Sequence, residues 1–121
     1  MRKAAVDIGT NSIRLLINHG VGRWQRVTGL GRGVDAGGEL SGEAMATTIA
    51  VLEEYGALIR EHDVELTRAV ATSATRDASN REIFLDQAER ALGVRPECIS
   101  GAEEARLAYT GAVADAPGDG P

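Results

Sequence analysis

Ala4-Ala5-Val6-Asp7-Ile8-Gly9-Thr10-Asn11-Ser12-Ile13-Arg14-Leu15-Leu16-Ile17 is the stretch on which the reading of this chain turns. Two apolar runs are joined by a small polar hinge, and the first run carries a lone aspartate near its end. Apolar runs bounded by Gly, Asn and Ser predict a β-hairpin. Gly9 lets the backbone come close to a ligand, and Thr10, Asn11 and Ser12 supply hydroxyl, amide and backbone N–H donors at the tip. An acid at a strand end beside a donor-rich turn meets the needs of phosphoryl transfer: an acceptor for metal or water, and donors for phosphate oxygens. An ordinary hairpin whose Asp and Asn satisfy only their own turn accounts for the same residues. The turn alone leaves both readings open.

The rest of the 121 residues narrows the choice. The chain has the length of one domain, and with 43% apolar and 26% charged residues it has the make-up of a soluble globular protein. Aromatics are so scarce (Trp24, Tyr55, Phe84, Tyr109) that Ala, Val, Leu and Ile must fill the core. No apolar run reaches the ~20 residues of a membrane span. The N-terminal run, broken by Asp7, is too short for a secretory signal. The single Cys98 excludes an intrachain disulfide framework and suits a reducing cytoplasm; its neighbours Val94 and Ile99 predict a buried, unreactive thiol. A formal charge of −5 argues against general nucleic-acid binding. An anionic ligand would then need a local set of arginines, backbone N–H groups and a cation.

Along the chain, residues 4–8 and 13–19 read as the hairpin and Trp24–Leu30 as a third strand. Gly29 to Gly38 holds five glycines in ten positions, a connector or a loop that approaches ligand. Ser41 caps a helix running to about His62, with Ala44, Met45, Ile49, Leu52, Tyr55 and Ile59 at helical spacing. Leu66–Ala71 is a buried strand and Thr72–Arg76 its polar exit. Asn80 opens a second helix with Ile83, Phe84, Leu85, Ala88 and Leu92 as its core face, ended by Gly93. Pro96–Ile99 is a short strand, and a third helix runs from Glu103 to about Val113. Residues 1–113 form one unit and 114–121 a loose tail or linker. The order βββαβαβα predicts an α/β fold, a single mixed sheet with helices on its faces.

Three polar strand exits then fall at one edge of the sheet, where ligands gather in open sheets of this kind. Arg76 is placed to fork onto phosphate oxygens, or to pair with Asp77 or Glu82 on the surface. Glu103 and Glu104 stabilise a helix N-terminus by ~0.3–1 kcal/mol each. One of them, aimed into a cleft, can also activate water or hold a metal. His19 and His62 show no metal-ligand spacing with Cys or acids, and no Walker-type glycine loop is present.

Four segments together carry a resemblance. Val6–Leu15, Leu30-Gly31-Arg32-Gly33-Val34 with Leu40-Ser41, Val70–Asn80, and Ile99-Ser100-Gly101 through Glu103-Glu104-Ala105-Arg106-Leu107-Ala108-Tyr109 are similar, in order, to the exopolyphosphatase and guanosine pentaphosphate phosphohydrolase family. The match spans residues 4 to about 113. The resemblance implies the ribonuclease-H-like fold of the actin, Hsp70 and sugar-kinase superfamily. It implies a phosphate-binding turn at Gly9, Thr10, Asn11 and Ser12, a phosphate-binding Arg76, Glu104 as the catalytic group that activates water, and Asp7 with Glu104 at a Mg²⁺ site. The implied reaction is hydrolytic release of terminal phosphate from inorganic polyphosphate, or of the 5′-γ-phosphate from guanosine pentaphosphate, in the cytoplasm. The implied partners are those substrates, a second half of the domain and, for a full-length protein, a second copy; membrane partners are not implied. Family members continue into a second phosphate loop that this sequence does not reach. An isolated 121-residue chain is therefore expected to be nearly inactive. The alternatives are a non-catalytic polyphosphate- or alarmone-binding module, and a sugar-kinase-like lobe that leaves the Thr72–Arg76 and Ser100–Arg106 segments unexplained.

Overall fold

A computed structural model describes residues 1–31 and 38–99. Strands β1 (Lys3–Ile8), β2 (Ser12–Ile17) and β3 (Gly22–Val27) form an antiparallel meander. Helix α1 (Gly42–Glu61) leads to β4 (Leu66–Ala71), which lies parallel to β1. The short α2 (Ser73–Arg76) and then α3 (Arg81–Leu92) lead to the two-residue β5 (Glu97–Cys98), parallel to β4. The sheet order is β3-β2-β1-β4-β5. This is the mixed α/β sheet expected from the sequence. The expected third helix, the tail and the boundary at residue 113 lie outside the described residues.

Strand pleating sends alternate side chains to opposite faces. Ala4, Val6, Ile8, Ile13, Leu15, Ile17, Ala69 and Ala71 join a core that takes in Leu52, Tyr55, Phe84 and Leu92 from α1 and α3. Tyr55 donates its hydroxyl to the Ile13 carbonyl at 3.1 Å, so its polar tip is satisfied inside the core. Gly56 lies where α1 meets α3, and a Cβ there would run into the Ala91 carbonyl oxygen. The close approach of the two helices thus requires glycine.

Most local signals were obeyed. Ser41 Oγ accepts from the Ala44 N–H at 3.1 Å, as an N-cap should, and Gly93 ends α3 in the left-handed region at φ 87°. Four details differ from expectation. The third strand is β3, Gly22–Val27, because Thr28 and Gly29 give their N–H groups to the hairpin tip instead of continuing the ladder. Thr72–Arg76 is not an extended exit: the Thr75 and Arg76 N–H groups both return to the Thr72 carbonyl, at 3.1 Å each, and close a helical turn. Ile83 is 56% exposed, outside the core face that Phe84, Leu85, Ala88 and Leu92 define. Asn80 stands at the N-cap of α3, as expected, but its side chain makes no capping bond there. Its amide instead clasps one distant residue: Oδ1 accepts from the Leu40 N–H at 2.8 Å and Nδ2 donates to the Leu40 carbonyl at 3.0 Å. An amide carries both a donor and an acceptor, so it can match a backbone unit as a neighbouring strand does. The Ser79 N–H adds a bond to the Gly38 carbonyl at 2.7 Å.

Candidate active site

The hairpin tip is built from both sides. Within it, the Gly9 N–H donates to the Ser12 carbonyl at 2.9 Å, and a Cβ on Gly9 would come within 2.9 Å of that same oxygen. From outside, residues 28–31 draw the tip carbonyls back. The Thr28 and Gly29 N–H groups donate to the Asn11 carbonyl at 2.9 and 3.1 Å, and the Gly31 N–H donates to the Thr10 carbonyl at 2.9 Å. A trans peptide points its N–H opposite to its C=O, so the Asn11 N–H is turned away from Gly31. The Asn11 side chain is exposed and makes no hydrogen bond among the described residues. The turn therefore keeps its Thr10, Asn11 and Ser12 carbonyls occupied while the Asn11 N–H and side-chain amide face away from them. The start of the glycine-rich segment is thus structural support for the tip. The sequence signal was only its glycine content, which a plain connector would share.

Asp7 sits two residues before the turn and is 5% exposed. The antiparallel register sets it opposite Arg14, and Arg14 Nη2 donates to Asp7 Oδ2. The other oxygen, Oδ1, is buried and has no hydrogen-bond partner among the described residues. A buried carboxylate oxygen left unsatisfied is costly; the Thr28, Thr48 and Thr75 hydroxyls are in the same state, but Asp7 alone of the four carries an acid. Sequence reading placed Asp7 in the site but missed Arg14 as its partner. Counting outward from a turn at Gly9–Ser12 pairs 8 with 13 and 7 with 14, so the register was there to be read.

Arg76 reaches the same sheet edge from the neighbouring strand. Ile8 pairs with Ala71, and the Thr72 N–H and hydroxyl both donate to the Ile8 carbonyl, at 3.2 and 3.4 Å. The short helix carrying Arg76 thus leaves the sheet beside the hairpin. The guanidinium forks onto Asp77, Nε to Oδ1 at 3.0 Å and Nη2 to Oδ2 at 3.3 Å. The Arg76 hydrogen bond, with the charges of Arg76 and Arg81, holds the Asp77 carboxyl below its ordinary value. Glu82, the other expected partner, pairs with Arg95 at 2.6 Å.

Among the described residues no group of three or more His, Cys, Asp or Glu is arranged to hold a metal. Mg²⁺ needs fewer protein ligands than that when phosphate is present: one or two carboxylates, with phosphate oxygens and waters completing the octahedron. Asp7 Oδ1 fits that demand. Glu104 lies outside the described residues. Cys98 is half-buried and its thiol is pushed up by burial, which suits an unreactive side chain. His19 Nε2 lies 2.9 Å from the Met1 carbonyl, away from the hairpin tip. No helix among the described residues is long and apolar enough to cross a membrane.

A mixed sheet with a tight polar turn between β1 and β2, a buried acid just before that turn and an arginine on the short helix that follows β4 defines an α/β module. The Ppx/GppA phosphatase family profile matches residues 10–121, and the chain belongs to that family. It is 44% identical over 130 residues to exopolyphosphatase 2 of Mycobacterium tuberculosis, covering 94% of this chain and 41% of the relative. To the guanosine-5′-triphosphate,3′-diphosphate pyrophosphatase of Aliivibrio fischeri it is 33% identical, covering 97% and 25%. The crystal structure of the Aquifex aeolicus Ppx/GppA family member superposes with a TM-score of 0.81 at 41% identity, over 92% of this chain and 39% of that one. The chain thus spans between a quarter and two-fifths of the length of these relatives.

Proposed function

We propose that this chain supplies the substrate-holding side of a phosphoanhydride hydrolase that releases terminal phosphate from inorganic polyphosphate or the 5′-γ-phosphate from guanosine pentaphosphate. The observation that carries the reading is the buried, unpartnered Asp7 Oδ1 beside a turn whose carbonyls are tied back. The names of the relatives, an exopolyphosphatase and a guanosine pentaphosphate pyrophosphatase, agree with it.

In this reading the Asn11 backbone and side-chain amides, with Gly9, Thr10 and Ser12, hold the phosphate being released. Arg76 exchanges Asp77 for phosphate oxygens, a like-for-like swap of one anion for another. Arg14 fixes Asp7 so that Oδ1 faces the reacting group. Mg²⁺, held by Asp7 and Glu104, would neutralise charge on the phosphate oxygens. Glu104 takes the proton of the attacking water. Phosphoryl transfer depends chiefly on such positioning and charge stabilisation.

Calorimetric titration of the chain with tripolyphosphate and Mg²⁺, with phosphate release followed in the same sample, tests this. The expected result is saturable binding weakened about tenfold or more by Asn11→Ala or Arg76→Ala, as for loss of a charge-assisted hydrogen bond. Release abolished by Glu104→Gln would assign catalysis to the chain itself. Binding without release would leave it the holding role alone, and no binding would overturn the proposal.

A further inference from the structure

The face of the sheet that carries Asp7 continues outward to an open edge, and two of its residues have no part in the site described so far. Gln25 pairs with Arg14 in the β2–β3 register, and Arg23 pairs with Leu16. Paired residues share a face, so Arg23 and Gln25 stand on the side of Asp7 and Arg14, while Trp24 between them packs on the core side. Arg14, Arg23, Trp24 and Gln25 line an open cleft of about 330 Å³. Arg23 also lines the adjoining depression of about 190 Å³, with Leu16, Ile17, Gly20 and Gly22. Unlike Arg14, Arg26, Arg68, Arg76, Arg81 and Arg95, which are ion-paired, Arg23 makes no ion pair or hydrogen bond among the described residues.

We propose that Arg23, with Gln25, forms an outlying anion subsite that binds phosphate groups of the substrate beyond the one being released. Arg23 is the diagonal neighbour of Arg14 on the adjacent strand, and such positions lie about 7–8 Å apart, within the span of a short run of linked phosphates. A chain carrying −5 overall offers a polyanion few such footholds. An uncompensated guanidinium in a cleft can take phosphate oxygens in a fork without first breaking an internal pair. The inference rests on the proposed function for the nature of the substrate. Its geometry is independent of the hairpin tip.

The test compares Arg23→Gln with Arg68→Gln. Both remove one positive charge from an exposed arginine on this same face, but Arg68 already pairs with Glu97 at 3.5 Å. Binding is read by calorimetry and by emission of Trp24, the only tryptophan in the chain. The probes are a medium-length linear polyphosphate, guanosine pentaphosphate and orthophosphate. Arg23→Gln should weaken a multi-phosphate probe about tenfold and leave orthophosphate unchanged, while Arg68→Gln changes each less than about twofold. A loss confined to linear polyphosphate assigns the subsite to a chain, and one confined to the nucleotide assigns it to the second phosphate cluster of that molecule. Equal effects of the two substitutions would reduce the patch to general electrostatics and overturn the subsite, leaving the hairpin reading intact. Polyphosphate binding that depends on Arg23 but not on Asn11 or Arg76 would uphold the subsite and overturn the hairpin reading. Failure of every probe to bind the unsubstituted chain would overturn both.

Discussion

The two faces of this sheet are made from the same strands and do different work. On one, Ala4, Val6 and Ile8 of β1 meet Ile13, Leu15 and Ile17 of β2 beneath α1 and α3. On the other, Ala5 and Asp7 stand beside Arg14 and Leu16, and the row runs on to Gln25 and Arg23. Residues one position apart thus face different surroundings, the helix-covered core on one side and, on the other, a row in which Asp7, Arg14, Gln25 and Arg23 stand among the buried Ala5 and Leu16. Asp7 is the sharpest case, a buried charge flanked in sequence by two core residues, Val6 and Ile8. The pleat lets a site be rigid without being apolar, because its support is the next residue along the chain.

Substitutions can break that division or sharpen it. The largest effect belongs to the core face: Phe84→Ala should cost about 3–5 kcal/mol of stability, seen as a large fall in the urea midpoint. Gly56→Ala comes next, at about 1–3 kcal/mol through forced separation of α1 and α3. Its phosphate-probe affinity, measured where the chain is still folded, should be unchanged. On the far face, Arg14→Ala leaves the Asp7 carboxylate buried without its partner and should cost about 1–3 kcal/mol. Adding Asp7→Asn should recover much of that loss while leaving polyphosphate binding abolished; a double variant no more stable than the single one would break the assignment. The smallest effect is a pH one. Asp77 titrates below its ordinary 3.8, first through the Arg76 hydrogen bond and then through nearby positive charge. Its contribution is therefore complete above about pH 4 and fades as the pH falls through the depressed value. An acid-unfolding midpoint unmoved by Asp77→Asn, or a normal carboxyl titration by NMR, would remove it.

The parts of this architecture with a strong period were legible. β1, β2, β4, α1 and α3 follow from alternating or 3.6-residue patterns with caps at Ser41 and Gly93. The Gly9–Ser12 turn and the placement of Asp7 and Arg76 near one end of the paired strands β1 and β4 were legible because small polar residues interrupt apolar runs there. What escaped was tertiary. The return of Thr28, Gly29 and Gly31 to the hairpin tip has no local periodicity. Ile83 falls near the correct stripe but at its margin, where a single helix position decides between core and solvent. The Arg14 pairing and the exposed row to Arg23 depend on register, which a sequence gives only after the turn is fixed.

The Asn80 clasp on Leu40 has a kinetic consequence. Its two hydrogen bonds join positions forty residues apart, so forming them closes a loop that contains all of α1 and β4. Loop closure of that kind is rewarded late, after the helices have docked. Late-formed contacts outside the folding nucleus mainly set how fast the native state comes apart. The clasp lies four residues beyond Arg76, at the end of the short link that leaves β4. Native chains should therefore open first at this corner, exchanging the Leu40 amide proton while Tyr55 and Phe84 stay enclosed. The edge that carries Arg76 would then loosen and re-form many times within the lifetime of one folded core.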